Sequence, residues 1–94
     1  MDQYVLDLTS FEEKLSLHAY LKETLDFPFY YGANLDALHD ELTSCTDNRV
    51  LLVRYPANPK GKMVEYLPRL LRVFADSASE NYHLKITYEK VDPA

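Results

Sequence analysis

The chain has 94 residues, 47% hydrophobic and 27% charged, which suits one globular domain, 1–94, and leaves no place for a disordered tail or a collagen-like repeat. Two glycines exclude a Gly-rich phosphate cradle, and a single cysteine, Cys45, excludes an internal disulfide and a cysteine-based zinc cluster. The net charge of −5 comes wholly from residues 23–48, which hold six acids and no Lys or Arg; the rest carries nine acids and ten bases. Such a field repels nucleic acid and attracts a basic partner.

Residues 4–8 (YVLDL) are apolar and β-prone and predict a first strand. Ser10-Phe11-Glu12-Glu13 has the spacing of a capping box, and Leu17, Leu21 and Leu25 form one apolar stripe of a helix ending near Leu25. The stripe does not fix whether that helix opens at Ser10 or nearer Leu15. Pro28 is expected to terminate it, and residues 29–33 form a loop with Gly32 as its hinge. Asn34 suits the N-cap of a second helix over 35–43. Residues 49–54 (RVLLVR) read as a central strand buried on both faces. A loop over 57–62 leads to a short helical turn at 63–66, and Pro68 suits the first turn of a further helix ending near Asn81. Residues 83–89 alternate Leu84, Ile86 and Tyr88 inward as a third strand, and residues 92–94 are expected to fray. The order predicts an α/β fold: a small three-stranded parallel sheet with three to four helices, in two or three layers.

The longest stretch without Asp, Glu, Lys or Arg, 27–35, is far short of the roughly 20 apolar residues of a membrane helix. Lys14, the first basic residue, follows Asp2 and Asp7, so no secretory n-region is present and a cytoplasmic location is expected.

The second predicted helix is locally inconsistent. Leu35, Leu38 and Leu42 form its docking face, while Asp36, Asp40 and Thr43 share another, with His39 beside them. Two like charges one turn apart weaken a helix by roughly 0.2–0.5 kcal/mol. Asp40 and Glu41 also lie toward its C-terminus, where anions are disfavoured. Residues that serve folding badly are candidates for function. Phe29, Tyr30 and Tyr31 precede them, and tyrosine beside acids suits a protein-binding surface, with at least one ring expected to cap the core.

Residues 27–43, FPFYYGANLDALHDELT, closely resemble the signature P-x-Y-Y-G-x-N-L-D-A-L-x-D-x-L-T of the barstar family, intracellular inhibitors of barnase-type ribonucleases. The resemblance covers essentially the whole chain and is weakest over 57–67. It implies a one-to-one, non-enzymatic, monomeric inhibitor that blocks a basic ribonuclease active site with this helix and the preceding loop. On matching positions the interface would hold Tyr30, Gly32, Asn34, Asp36, His39, Asp40, Thr43 and Ser44, with Asp40 as the central anion standing in for substrate phosphate. Asp76 matches a second-site acid that is glutamate in barstar. His39 and Cys45 stand where the family has tryptophans, and Ser44 where it has a glycine.

Other readings are weaker. His39, Asp40 and Cys45 do not make a nucleophilic site, because adjacent helix positions point about 100° apart and no oxyanion-holding loop is visible. Asp36, His39 and Asp40 lack further ligands nearby for a metal, and Asp36 with Asp40 lacks the pocket of an acid/base pair. No catalytic residue, metal or cofactor is expected. His18 and His83 read as structural or surface residues, and Lys60 and Lys62 are too sparse to hold nucleic acid. The alternative function is a binding module of the same fold for a basic partner that is not a ribonuclease. If His39 faces the partner's cations, binding should weaken as it gains a proton below about 6.5.

Overall fold

The structure, a computed structural model, describes residues 2–92. In chain order it comprises β1 (Asp2–Asp7), α1 (Lys14–Leu25), α2 (Leu35–Thr43), β2 (Arg49–Pro56), α3 (Met63–Glu80) and β3 (Leu84–Val91). The strands are parallel and ordered β1-β2-β3, with β2 central. Three helices accompany the sheet among the described residues. Of the expected frayed end, Pro93 and Ala94 lie outside those residues. No described helix is long and apolar enough to cross a membrane.

Register explains where the core sits. Tyr4, Leu51 and Ile86 lie side by side in the sheet, as do Leu6, Val53 and Tyr88. Leu6, Leu8, Leu51, Val53 and Leu84 are buried on that face against Leu17, Leu21 and Leu25 of α1, Leu38 and Leu42 of α2, and Leu67, Leu70 and Phe74 of α3. Among the described residues no helix covers the opposite face: Val5 is exposed, and Leu52 only half-buried. The expectation that β2 is buried on both faces is therefore corrected. Strands added in one direction through crossovers of one hand leave every helix on the same side, so the architecture has two layers. Asp7, Arg54 and Glu89 stand in one row across the open face, with the guanidinium 3.2 Å from the first carboxylate and 2.6 Å from the second.

Contacts settle the start of α1, end it at Leu25 as expected but by a different agent, and correct the division of α3. α1 opens at Lys14 with Glu13 as its N-cap, the later of the two starts left open, because residues 11 and 12 are held elsewhere: Phe11 packs on Tyr20 at 5.2 Å and the Glu12 carbonyl accepts the Lys62 N–H at 3.2 Å. Gly61 permits that approach, since its φ is 59° and a Cβ there would meet the Glu12 carbonyl oxygen at 3.1 Å. α1 ends before Pro28 acts, at Asp26 in the left-handed region (φ 57°), where the N–H groups of Asp26 and Phe27 both reach the Lys22 carbonyl. Finally, the expected turn and the helix opened by Pro68 are one helix, α3, with Pro68 inside it. Met63, Tyr66, Leu67, Leu70 and Phe74 bury one continuous stripe through that point. Exposed Val64, whose carbonyl Pro68 leaves unbonded, can turn to water.

Candidate functional site

α2 begins as the sequence predicts. The Asn34 side-chain oxygen accepts the Ala37 N–H at 2.8 Å, while its amide nitrogen donates to the Gly32 carbonyl at 3.1 Å. Both ends of that amide are thus engaged within the protein, which makes Asn34 a positioning residue for the loop and the helix together. The left-handed residue of the loop is Ala33 (φ 52°), not Gly32. Gly32 matters for space: a Cβ would stand 3.3 Å from both the Ala37 Cβ and the Asn34 Nδ2. An alanine held left-handed costs roughly 1–2 kcal/mol, the kind of local strain that gathers at functional loops.

Of the three loop aromatics, Tyr31 caps the core. Its ring lies 4.8 Å from that of Phe27, and its hydroxyl is 2.7 Å from Nδ1 of His18. His18, fully buried, meets the Tyr66 hydroxyl with Nε2 at 2.6 Å. Burial holds the His18 pKa below its ordinary value and raises those of Tyr31 and Tyr66. A neutral imidazole has one N–H and one bare nitrogen, so one hydroxyl accepts and the other donates. Phe29 and Tyr30 remain outside, 88% and 72% exposed, with their rings edge to face at 5.5 Å.

Leu38 and Leu42 anchor α2 in the core and leave Asp36 and Asp40 exposed one turn apart. Asp36 also borders an open groove of about 860 Å³ together with Lys14, Lys62 and Arg69, so it stands between the acid face and cations of its own chain. Thr43 is half-buried and Ser44 exposed, and the hydroxyl of each is bonded to its own helix. The Thr43 hydroxyl donates to the His39 carbonyl at 2.8 Å and the Ser44 hydroxyl to the Asp40 carbonyl at 2.6 Å. Cys45 is half-buried, with Sγ 3.2 Å from the Asp47 carbonyl oxygen.

α3 closes the other side. Nε2 of His39 lies 2.5 Å from Oε2 of Glu80, and that hydrogen bond, with the charges of Glu80, Asp40 and Asp76, raises the His39 pKa above 6.5. Asp76 itself is exposed, 3.9 Å from Arg72. Around His39 the structure places the carboxylates of Asp40, Asp76 and Glu80, the last of which the sequence reading does not name.

Two further residues escape a sequence reading. Asn81, almost fully buried, donates from Nδ2 to the carbonyls of Leu42 and Cys45, both at 2.9 Å, and its oxygen accepts the His83 N–H at 3.0 Å. It fixes the C-terminal end of α2 to the end of α3. The second is Tyr66, which holds His18 and through it the loop. Their signals lie in sequence separations of 39 and 48 residues, which periodicity cannot read.

The sequence matches the family described as Barstar (barnase inhibitor) over residues 1–90. It is also 40% identical over 80 residues, 85% of this chain and 80% of the relative, to a Bacillus subtilis (strain 168) protein named "Putative ribonuclease inhibitor YrdF". With its three-stranded parallel sheet, its Asn34-capped acidic helix and a match over nearly its whole length, the chain belongs to the barstar family.

Proposed function

We propose that the protein is a one-to-one, non-enzymatic inhibitor of a barnase-like, guanyl-preferring ribonuclease, acting as a single-domain monomer in the cytoplasm. One observation carries the reading: an exposed aromatic loop, Phe29 and Tyr30, runs directly into a helix that turns Asp36 and Asp40 outward. A ribonuclease must hold phosphodiester oxygens and so has a basic cleft. Asp40 accepts paired hydrogen bonds from arginine there, as a phosphate would, and offers no bond to cleave. Asp36 and Asp76 flank it with further charge. Tyr30 adds contact area with few rotamers to freeze, and Gly32 leaves the loop backbone open to close approach. Asn34, Thr43 and Ser44 serve the interface by shaping it, since their polar hydrogens are engaged within the chain. Family membership and the inhibitor name of the B. subtilis relative support this reading.

Purified protein in micromolar excess is expected to abolish the activity of at least one enzyme in a panel of guanyl-preferring ribonucleases. Undiminished activity across the panel would sink the proposal. The half-buried Cys45 and the engaged His39, where the family carries tryptophans, favour a second reading, a basic partner of another kind. Recovery of such a protein in a pull-down, with the panel negative, would establish it.

A further inference from the structure

His39 is where the acid face departs from a row of free carboxylates. It reaches from α2 to α3, with 36% of its side chain exposed, and bonds Glu80, itself 55% exposed. The charged groups facing it are all acids: Glu80 and Asp76 from α3 and Asp40 from its own helix. Arg72 of α3 is drawn instead to Asp76. An imidazolium here makes a charge-assisted hydrogen bond across the junction of the two helices. When His39 is protonated, the surface that a basic partner would approach thus carries a cation of its own.

We propose that His39 and Glu80 are the specificity-determining pair of this face: an internal ion pair that cancels the Glu80 charge when His39 is protonated and restores it when His39 is neutral. The inference rests on the ribonuclease-inhibitor reading. A ribonuclease matched to the protonated pair has one base fewer opposite the α2–α3 junction than the acids alone would match. An extra cation there would compete with His39 for Glu80 or meet it as a like charge, which discriminates between partners by repulsion. The sign with pH follows. As pH rises through the His39 pKa the face gains one negative charge, so a basic partner binds more tightly.

The test uses the intact protein and a guanyl-preferring ribonuclease that it inhibits, with Kd measured at about pH 5.5 and about pH 8.5. Titration of the ribonuclease itself contributes equally to wild type and to His39→Gln, so the difference between their pH dependences isolates the imidazole. Wild type is expected to gain roughly three- to tenfold more affinity at the higher pH than His39→Gln does. Glu80→Gln removes one negative charge at either pH, at the lower one by leaving the imidazolium uncompensated, and is expected to lose several-fold affinity at both; unchanged affinity at both would overturn the inference. Equal pH dependence in wild type and His39→Gln overturns the inference while leaving the inhibitor reading intact. NMR titration of His39 in the free protein judges the pair without a partner. Its midpoint is expected above 6.5 and should fall in Glu80→Gln; a midpoint at or below 6.5, or one that Glu80→Gln leaves in place, overturns the pair. Failure to inhibit any ribonuclease counts against the inhibitor reading, and the NMR result then decides the pair alone.

Discussion

Two histidines of this chain are perturbed in opposite directions, and the sign separates their roles. His18 is buried and favours the neutral form; exposed His39 is surrounded by acids and favours the charged one. For His18 the unfolded chain takes the proton first, so its contribution to stability is intact above about 6.5 and fades as pH falls toward the folded pKa. For His39 the contribution is present below 6.5 and fades as pH rises through its raised pKa; it is small, because the pair is exposed. Tyr66 supplies one of the two hydroxyls that keep the buried imidazole satisfied. Tyr66→Phe should therefore cost about 1–3 kcal/mol in urea denaturation at pH 7.5, the usual penalty for an orphaned buried polar group. Tyr82→Phe, at an exposed ring, should stay within about 0.5 kcal/mol. A Tyr66→Phe effect as small as that of Tyr82→Phe would show that the hydroxyl does not matter to the core.

Among the elements, α2 is the one that folding alone would not have written this way. It is short, has no basic residue in its last turn and carries Asp40 and Glu41 toward its negative end. Neighbours compensate: Asn34 caps its start, two leucines anchor it and Asn81 donates hydrogen bonds to the carbonyls at its end. Removing the Asn81 amide leaves the Leu42 and Cys45 carbonyls without that donor, so Asn81→Ala should lower unfolding free energy by about 1–3 kcal/mol. A change under about 0.5 kcal/mol in equilibrium denaturation would contradict that role. The strands and α2 were legible in the sequence because their signals are local: alternation, an Asn cap, leucines at helical spacing. The Asp36–Asp40 face was legible for the same reason. The braces were not. Asn81, Tyr66 and Glu80 act across 39, 48 and 41 residues, and nothing near them in sequence marks their partners. The two-part reading of α3 failed because Pro68 argues for a boundary locally, whereas the buried stripe on both sides of it keeps the helix whole.

At the scale of the whole molecule, the uncovered sheet face and the acid face are separate surfaces with separate charge logic. The first engages its acids internally, Arg54 pairing with both Asp7 and Glu89 in one row. The acid face leaves Asp36 and Asp40 pointing outward from a segment without a single Lys or Arg. A field of that origin speeds encounter, while buried contacts set release. Stopped-flow association with an inhibited ribonuclease should therefore slow by roughly tenfold or more between low and high salt, with dissociation nearly constant; a salt-independent association rate would contradict an electrostatic face. The account as a whole rests on the claim that Asp40 enters a cationic cleft while Glu41, half-buried beside it, does not. Kd measured for Asp40→Ala and Glu41→Ala against the same ribonuclease tests that claim most directly. Asp40→Ala is predicted to cost more than about 2 kcal/mol, the hot-spot threshold of interfaces of this class, barnase–barstar among them, and more than any other single acid removal. An equal or larger loss from Glu41→Ala would contradict it.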